Sequence, residues 1–147
     1  MKIGTKLRVS AIIFKEDKLL VTKHDAKGYG VYYLLPGGGV EHAESPEEAL
    51  KREVKEECSL DIDTERLVYY KTGYSDNDNY LDLIFLCKII GGKMEISRGE
   101  DKVKEIKFVG KKELEKLRFF PRQIVTLVFE KLPRETKYLG KFKYPEE

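Results

Sequence analysis

The first forty residues alternate between apolar and polar side chains in short stretches that are typical of β-strands. Apolar residues occupy every second position over residues 7–13, which predicts a strand with one buried face. A turn at residues 16–17 leads into a second strand over residues 18–23, and the two pair as a hairpin. Residues 31–35 predict a third, shorter strand that ends at Pro36. The three glycines Gly37–Gly39 then predict a turn in which the backbone approaches another group closely or takes a positive φ.

The spacing of apolar residues then changes from two to nearly four, which is typical of a helix. Ser45 is a good N-cap residue and Pro46 suits the first helical position, so we predict a helix from Pro46 to about Cys58. Two glutamates in its first turn are favoured by the helix dipole. The buried side of this helix is predicted from the residues that recur every four positions: Leu50, Val54 and Cys58.

Two long β-rich stretches, residues 66–74 and 80–90, flank a polar segment and predict a second hairpin. Further along, the pattern predicts a strand over residues 104–109, a short helix over 111–117 and a longer helix over 121–132. The residues after Pro133 are interpreted as a polar tail whose only apolar contact lies at residues 138–140. This order of elements predicts one α/β domain over residues 1–147, with a mixed sheet and a helix on each side.

The composition of the chain argues against some classes of binding partner. The chain has 147 residues, with 28 basic and 26 acidic side chains and a net charge of +2. That near balance argues against nucleic-acid binding driven by bulk charge. We find no leader-like segment and no apolar run long enough to span a membrane, so we expect a cytoplasmic protein without a membrane partner. Cys58 and Cys87 are far apart and are expected to be free thiols rather than a disulfide.

The predicted helix carries three acidic side chains on one face. With Glu53 set at zero on a helical wheel, Glu57 lies about 40° to one side and Glu56 about 60° to the other. Carboxylates this close repel one another, and a cation among them offsets the repulsion. Mg²⁺ and Mn²⁺ prefer oxygen ligands and also bind substrate phosphates. The alternative is an exposed helix on which lysines pair with glutamates. The glycines upstream and Glu44 just before the cap favour the metal site.

The same region carries a longer pattern. It reads Gly, five residues, Glu, seven residues, Arg-Glu, an aliphatic residue, one residue, Glu-Glu, one residue, Gly and an aliphatic residue. Its positions are occupied here by Gly38, Glu44, Arg52, Glu53, Val54, Glu56, Glu57, Ser59 and Leu60. This pattern resembles the signature of the Nudix hydrolases. Ser59 is the one departure, because the family has glycine there. That position looks like a left-handed helix C-cap, so serine is expected to cost about 1 kcal/mol or less without abolishing activity.

The resemblance implies a Nudix-type α/β/α sandwich with a mixed β-sheet between helices. It also implies hydrolysis of a pyrophosphate bond in a nucleoside diphosphate linked to another group, with Mg²⁺ or Mn²⁺ as cofactor. By position, Arg52 and Glu44 look like supports for the acidic cluster. The residues that look like metal ligands are Glu53, Glu56, Glu57 and, through its backbone carbonyl, Gly38. The expected catalytic residues are Glu53, Glu56 and Arg52.

The sequence restricts the choice of general base and of substrate contacts less closely than the choice of metal ligands. Glu53 and Glu56 are candidate bases, and so is a carboxylate after the second hairpin, where Glu100, Asp101 and Glu105 are available. For the substrate, we expect Arg8 to meet a phosphate and Tyr74 and Tyr80 to contact a base or sugar. The alternative for these three is an ordinary position on a solvated or half-buried strand.

Several functions stay open within this resemblance. Nucleoside triphosphates, oxidised nucleotides, ADP-ribose, nucleotide sugars and dinucleoside polyphosphates are all candidate substrates. No proline occurs between Pro46 and Pro121, and this argues against ADP-ribose. The alternative function is a non-catalytic nucleotide-binding sensor on the same fold, against which the complete glutamate set argues. An RNA-processing enzyme is disfavoured by the near-neutral charge. A homodimer is expected from the resemblance, with the strands over 66–74 and 80–90 offering edges.

Overall fold

The computed structural model describes residues 4–97 and 99–144. Its elements in chain order are β1 (Gly4–Lys15), β2 (Lys18–Ala26), β3 (Gly30–Leu34), β4 (Gly37–Gly39), α1 (Pro46–Cys58), β5 (Leu60–Tyr74), β6 (Asp78–Gly92), β7 (Glu105–Val109), α2 (Lys111–Lys116), β8 (Phe119–Phe120), α3 (Ile124–Leu127) and β9 (Lys137–Lys143).

The strands form a mixed sheet in which β1 is shared by two groups. Residues 8–10 of β1 pair antiparallel with β4 and residues 4–13 pair parallel with β6, and β5 and β9 continue the sheet beyond β6. The last residues of β1 pair with β2, which pairs in turn with β3 and β7, while β8 joins β3. Both groups of strands line the cleft described below.

Buried side chains pack on both faces of this sheet. Helix α1 packs against one face, and α2 and α3 pack against the other. Strand β1 shows the division: Val9, Ala11 and Ile13 belong to the cluster under α1, whereas Ile12 belongs to the other cluster. This alternation is the reason that the period of two was visible in the sequence. The helix–sheet–helix arrangement confirms the predicted α/β/α sandwich.

Helix α1 begins and ends where its sequence predicts. The Ser45 side chain accepts a hydrogen bond from the Glu48 N–H at 3.1 Å, and Pro46 is the first helical residue. At the other end Ser59 takes a left-handed conformation, with φ 61° and ψ 24°. Its hydroxyl lies 2.8 Å from Ser97 Oγ, which donates to the Lys55 carbonyl. Serine therefore has a hydrogen-bond partner at this cap that glycine would lack, and its stability cost stays a prediction.

The second hairpin is confirmed, but its strands are not free edges. Strands β5 and β6 pair antiparallel along most of their length. Strand β1 covers the other side of β6, and β9 covers the other side of β5. The expectation that these two strands offer edges for a homodimer is therefore wrong for the length over which they are covered. Whether the chain dimerises by another surface stays a prediction.

Two elements near the C-terminus differ from the sequence-based expectation. The helix predicted over 121–132 is reduced to Ile124–Leu127, and Phe119–Phe120 just before it pairs with β3. Around it the backbone makes tighter i→i−3 bonds, such as Val125 N–H to the Arg122 carbonyl at 3.2 Å. The supposed polar tail is strand β9, which pairs parallel with β5. Tyr138 stacks on Tyr70 with ring centroids 4.9 Å apart, a cross-strand contact that the sequence alone does not reveal.

The three glycines form the extended strand β4, not the predicted turn. Gly39, Gly38 and Gly37 pair antiparallel with residues 8, 9 and 10 of β1. A Cβ on Gly37 would lie 2.8 Å from the Ser10 Cα, and one on Gly38 would lie 2.5 Å from the Glu53 Cδ. The second half of the prediction, that the backbone here approaches another group closely, is therefore confirmed.

Cys58 and Cys87 are buried free thiols, as predicted. Within residues 4–97 and 99–144, no helix combines the length and apolarity needed to cross a lipid bilayer.

Candidate active site

The three glutamates of helix α1 face the cleft and differ in how much of each side chain is exposed to solvent. The Glu56 side chain is 54% exposed and that of Glu53 is 18% exposed, while Glu57 is buried at 7%. Glu57 is the most enclosed because it borders the apolar side of the helix, which carries Val54 and Cys58 in the core. The helical-wheel prediction of one acidic face agrees with this arrangement.

Arg52 ties the acidic cluster together. Its Nε and Nη2 donate to the two carboxylate oxygens of Glu44 at 2.8 and 2.9 Å, a bidentate pair. Nη1 donates to Glu53 Oε1 at 2.9 Å and lies 3.3 Å from Glu56 Oε2. Nη2 also donates to the Gly39 carbonyl at 3.1 Å, which links the helix to β4. Arg52 therefore fixes the positions of two of the three helix carboxylates, as a planar five-donor fork can.

Strand β4 forms the floor between the helix and the cleft. The Gly37 N–H donates to Glu57 Oε1 at 2.8 Å, so the buried carboxylate is anchored to backbone. The Glu53 carboxylate lies where a side chain on Gly38 would otherwise sit. The local sequence permits this because Gly38 leaves room for the Glu53 carboxylate and Gly37 leaves room for the close approach of β1.

The carboxylates differ in their affinity for protons. Burial raises the pKa of Glu57 to about 8, although the hydrogen bond from the Gly37 backbone opposes the rise. Burial also raises the pKa of Glu53, against the hydrogen bond from Arg52. In contrast, the hydrogen bonds from Arg52 lower the pKa of Glu44 to about 2. Glu57 therefore favours its protonated form at neutral pH, and a bound cation would favour its ionised form, whereas Glu44 is held ionised by Arg52.

The chemical groups of these residues suit a hard divalent cation, but their side chains are not arranged as a metal site. Among residues 4–97 and 99–144, no group of three or more His, Cys, Asp and Glu side chains is arranged to hold a metal ion. Arg52 instead bridges Glu53 and Glu56. Carboxylate oxygens and a glycine carbonyl are the ligands that Mg²⁺ and Mn²⁺ prefer. The absence of a side chain at Gly38 leaves the Glu53 carboxylate room against the backbone of β4.

We expect metal binding to depend on pH through Glu57. This carboxylate has to lose its proton before it can bind a cation, and its pKa is about 8. Below that pKa the apparent metal affinity falls by about tenfold per pH unit. The increase in Tm on adding MgCl₂, measured against EDTA at each pH, is therefore expected to be larger at about pH 8.5 than at about pH 6. An equal or larger increase at the lower pH would contradict the assignment of Glu57 as a ligand.

The cleft beside the acidic face has a volume of about 970 Å³. Of the predicted substrate contacts, Arg8 and Tyr80 line it, as do all four predicted metal-ligand residues and Arg52. Tyr74 does not: it lies in a separate shallow depression on the far side of Tyr80 and is 40% exposed. The structure thus brings two of the three predicted substrate contacts to the acidic cluster and leaves Tyr74 apart.

The candidate bases after the second hairpin are also separated by the fold. Glu100 and Asp101 line the cleft, whereas Glu105 does not and instead lies 3.9 Å from Lys23 across the β2–β7 pair. Glu100 Oε1 accepts hydrogen bonds from the Lys102 and Val103 backbones at 2.6 and 3.1 Å, which fixes its loop.

Two cleft residues were not identified from the sequence. Asp82 lies in the middle of β6 and is 6% exposed. The signal for it is a single charge inside the apolar run Leu81–Leu86, since a buried charge needs a specific reason. Tyr144 follows β9 and hydrogen-bonds to Asp82. No local pattern identifies Tyr144, because its place in the cleft depends on the pairing of β9 with β5.

Comparison with known proteins agrees with this geometry. The family model for the NUDIX domain matches residues 4–128. An ADP-ribose pyrophosphatase of Methanocaldococcus jannaschii is 34% identical over 119 residues, which are 80% of this chain and 69% of that protein. The 8-oxo-dGDP phosphatase NUDT18 of Danio rerio is 35% identical over 95 residues, 63% of this chain but only 28% of that protein.

Solved structures share the fold. A NUDIX hydrolase from Nitrosomonas europaea superposes with a TM-score of 0.73 at 20% identity, covering 86% of this chain and 87% of that one. An ADP-ribose pyrophosphatase from Streptococcus suis gives a TM-score of 0.69 at 23% identity, covering 90% and 98%. The glutamate helix, the glycine strand and these matches together establish that the chain belongs to the Nudix hydrolases and is a pyrophosphohydrolase of that family.

Proposed function

We propose that this enzyme hydrolyses the pyrophosphate bond of a nucleoside diphosphate linked to another group, using Mg²⁺ or Mn²⁺. The observation that carries the proposal is the convergence of Glu53, Glu56 and Glu57 on a large cleft beside a strand of glycines. Nudix hydrolases generally use divalent metal ions. The residues proposed to hold the ion are Glu53, Glu56, Glu57 and the Gly38 carbonyl.

The substrate class follows from what the two curated relatives have in common. The names of both refer to a nucleoside diphosphate, one joined to ribose and the other carrying an oxidised base. We therefore propose that the substrate contains two linked phosphates attached to a nucleoside. ADP-ribose becomes the first compound to test, although the missing proline between Pro46 and Pro121 argued against it. A cytoplasmic location stays a prediction.

The proposed reaction is attack of water on one phosphorus of the pyrophosphate. A new P–O bond forms, the bridging P–O bond breaks, and the leaving phosphate oxygen takes the electron pair. A bound divalent ion neutralises phosphate charge and lowers the pKa of water. Glu53, Glu56, Glu100 or Asp101 accepts the proton of the attacking water, since all four line the cleft. Arg52 keeps Glu53 and Glu56 in place through its hydrogen bonds.

A screen tests the proposal. Purified protein is incubated with ADP-ribose, 8-oxo-dGDP, nucleotide sugars, dinucleoside polyphosphates and nucleoside triphosphates, with MgCl₂, MnCl₂ or EDTA, and the products are separated. Turnover of at least one nucleoside diphosphate derivative is expected, and EDTA is expected to abolish it. Reaction in ¹⁸O-water then identifies which phosphorus is attacked. Binding without turnover of any compound would favour the alternative function, a non-catalytic nucleotide sensor. None of the observations above supports that alternative.

A further inference from the structure

A row of charged residues crosses the sheet from the glycine strand into the cleft. Cross-strand register places Gly39 of β4 beside Arg8 of β1, Arg8 beside Asp82 of β6, and Asp82 beside Lys71 of β5. Neighbouring strands lie about 4.8 Å apart, so these side chains are in contact range along the row. Arg8, Asp82 and Lys71 all line the cleft. The row therefore begins at β4, the strand that contacts the acidic helix, and extends away from that helix.

Asp82 is the centre of this row. It is 6% exposed, its Oδ2 lies 3.7 Å from Lys71 Nζ, and it accepts a hydrogen bond from the Tyr144 hydroxyl. Its Oδ1 is buried and has no hydrogen-bond partner among the described residues. Arg8 Nε lies 3.7 Å from that oxygen. A buried carboxylate oxygen that lacks a hydrogen bond is costly, so a small movement of Arg8 that closes this gap is favoured.

The two cations differ in their freedom to move. Lys71 is buried, and its ammonium lies 5.2 and 4.9 Å from the ring centres of Phe142 and Tyr144. The Arg8 side chain is 44% exposed, and no hydrogen bond of its guanidinium is found within residues 4–97 and 99–144. Because Nε is the Arg8 atom paired with Asp82, the contact leaves its two Nη nitrogens available as donors. Within the row itself, two cations flank one carboxylate.

We propose that Arg8, positioned by Asp82, forms with Lys71 an anion subsite that binds the substrate phosphate lying away from the glutamate helix. This inference rests on the proposed function, since it assigns one phosphate of the nucleoside diphosphate to the row. Arg8 supplies the hydrogen bonds, because a guanidinium matches phosphate oxygens in a bidentate manner. Lys71 supplies a second positive charge to the subsite. Asp82 is a positioning residue that holds Arg8 through its Nε atom.

The competing explanation is that Arg8 and Asp82 form only a structural ion pair. The chain contains a matched pair for comparison. Lys6 Nζ and Asp78 Oδ2 are 3.3 Å apart on the same two strands, and neither residue lines the cleft. Removing a charge from that pair changes the net charge by the same amount without touching the subsite.

The first test compares Arg8→Ala with Lys6→Ala. Binding of ADP is measured by calorimetry in EDTA, so that the acidic cluster has no divalent ion and the signal reports the row itself. Arg8→Ala is expected to weaken ADP binding by about 10- to 100-fold, as the loss of hydrogen bonds to a charged group does. Lys6→Ala is expected to change it by less than about twofold. Equal effects of the two substitutions would overturn the subsite.

The second test is a double-mutant cycle. Asp82→Asn is expected to weaken ADP binding and to raise KM by about 5- to 20-fold with little change in kcat, because it removes binding rather than chemistry. In an Arg8→Ala background the same substitution is expected to have less than about a twofold effect, since Asp82 acts through Arg8. Asp78→Asn is the matched control. Full additivity of the two substitutions would show that Asp82 has only a structural role and would overturn its positioning function.

Stability and function can be separated in these experiments. Thermal melting establishes that Asp82→Asn is folded, and if it is not, the comparison of Arg8→Ala with Lys6→Ala still decides the subsite. If no compound in the screen is turned over while ADP binding responds as expected, the proposed function fails and the subsite stands. If turnover occurs and Arg8→Ala binds ADP as tightly as Lys6→Ala, only the subsite fails.

Discussion

Replacing Glu57 with glutamine is expected to lower kcat by roughly 10³-fold and, in EDTA at alkaline pH, to raise Tm. The loss of activity follows from the loss of one anionic metal ligand, because a catalytic metal ion is worth several kcal/mol and about 1.4 kcal/mol is tenfold in rate. Glutamine retains the shape of the side chain, and its carbonyl oxygen can still accept the hydrogen bond from the Gly37 N–H.

The gain in stability has a defined pH range. The pKa of Glu57 is raised from an ordinary 4.5 to about 8 by burial. A carboxyl group of this kind contributes its full stability below the unfolded-state pKa and loses it as pH rises through the folded-state pKa. The amide does not ionise, so the stability of Glu57→Gln relative to the unchanged protein is expected to grow between about pH 5 and about pH 8.

The matched control for this experiment is Glu47→Gln. Glu47 lies on the exposed first turn of the same helix and outside the cleft. That variant is expected to keep kcat within about twofold and to show no pH-dependent gain in Tm, as is usual for an exposed side chain. If Glu57→Gln retains full activity, the assignment of the metal site to this helix is refuted. If it lowers Tm at alkaline pH, the buried-charge explanation of the raised pKa is wrong.

Replacing Gly38 with alanine is expected to lower kcat by roughly 10²-fold while the fold stays intact. A Cβ at this position would lie 2.5 Å from Cδ and 2.6 and 2.7 Å from the carboxylate oxygens of Glu53. Glu53 has a flexible side chain, so it can move aside at little cost in stability, but its carboxylate then leaves the cluster. A displacement of about 1 Å is sufficient for a loss of this size. The free energy of unfolding is expected to change by less than about 1 kcal/mol.

Two neighbouring glycines provide the comparison. A Cβ on Gly39 meets no atom within 4 Å, so Gly39→Ala is expected to preserve both activity and Tm. A Cβ on Gly37 would meet the backbone of Ser10, which cannot move aside, so Gly37→Ala is expected to lower Tm markedly. Steady-state kinetics and thermal melting of the three variants together distinguish a fold effect from a site effect. A Gly38→Ala enzyme as active as Gly39→Ala would mean that Glu53 does not act from the position against β4.

Most of the acidic site could be predicted because the residues that indicate it lie close together in the sequence. Helix α1 carries its own cap and its own apolar period, and the carboxylates follow from residue spacing on that helix. The second hairpin was predictable for the same reason, since a polar turn separates two β-rich runs.

Elements whose stability comes from distant partners were not predictable. Strand β9 has few apolar residues and exists because β5 offers a free side for pairing. The helix predicted over 121–132 is only Ile124–Leu127, with shorter-range backbone bonds around it. In β9, tertiary pairing overrides weak local preference.

By itself, the sequence determined the α/β class, the capped helix with its three carboxylates, the family and the reaction type, because each depends on residues close together in the chain. Only the tertiary structure decided which residues share the cleft. It brought Arg8, Lys71 and Asp82 side by side from three strands, raised the pKa of Glu57 by burying it, and moved Tyr74 out of reach. Register between strands and the depth of burial depend on contacts between distant segments, and no local pattern encodes them.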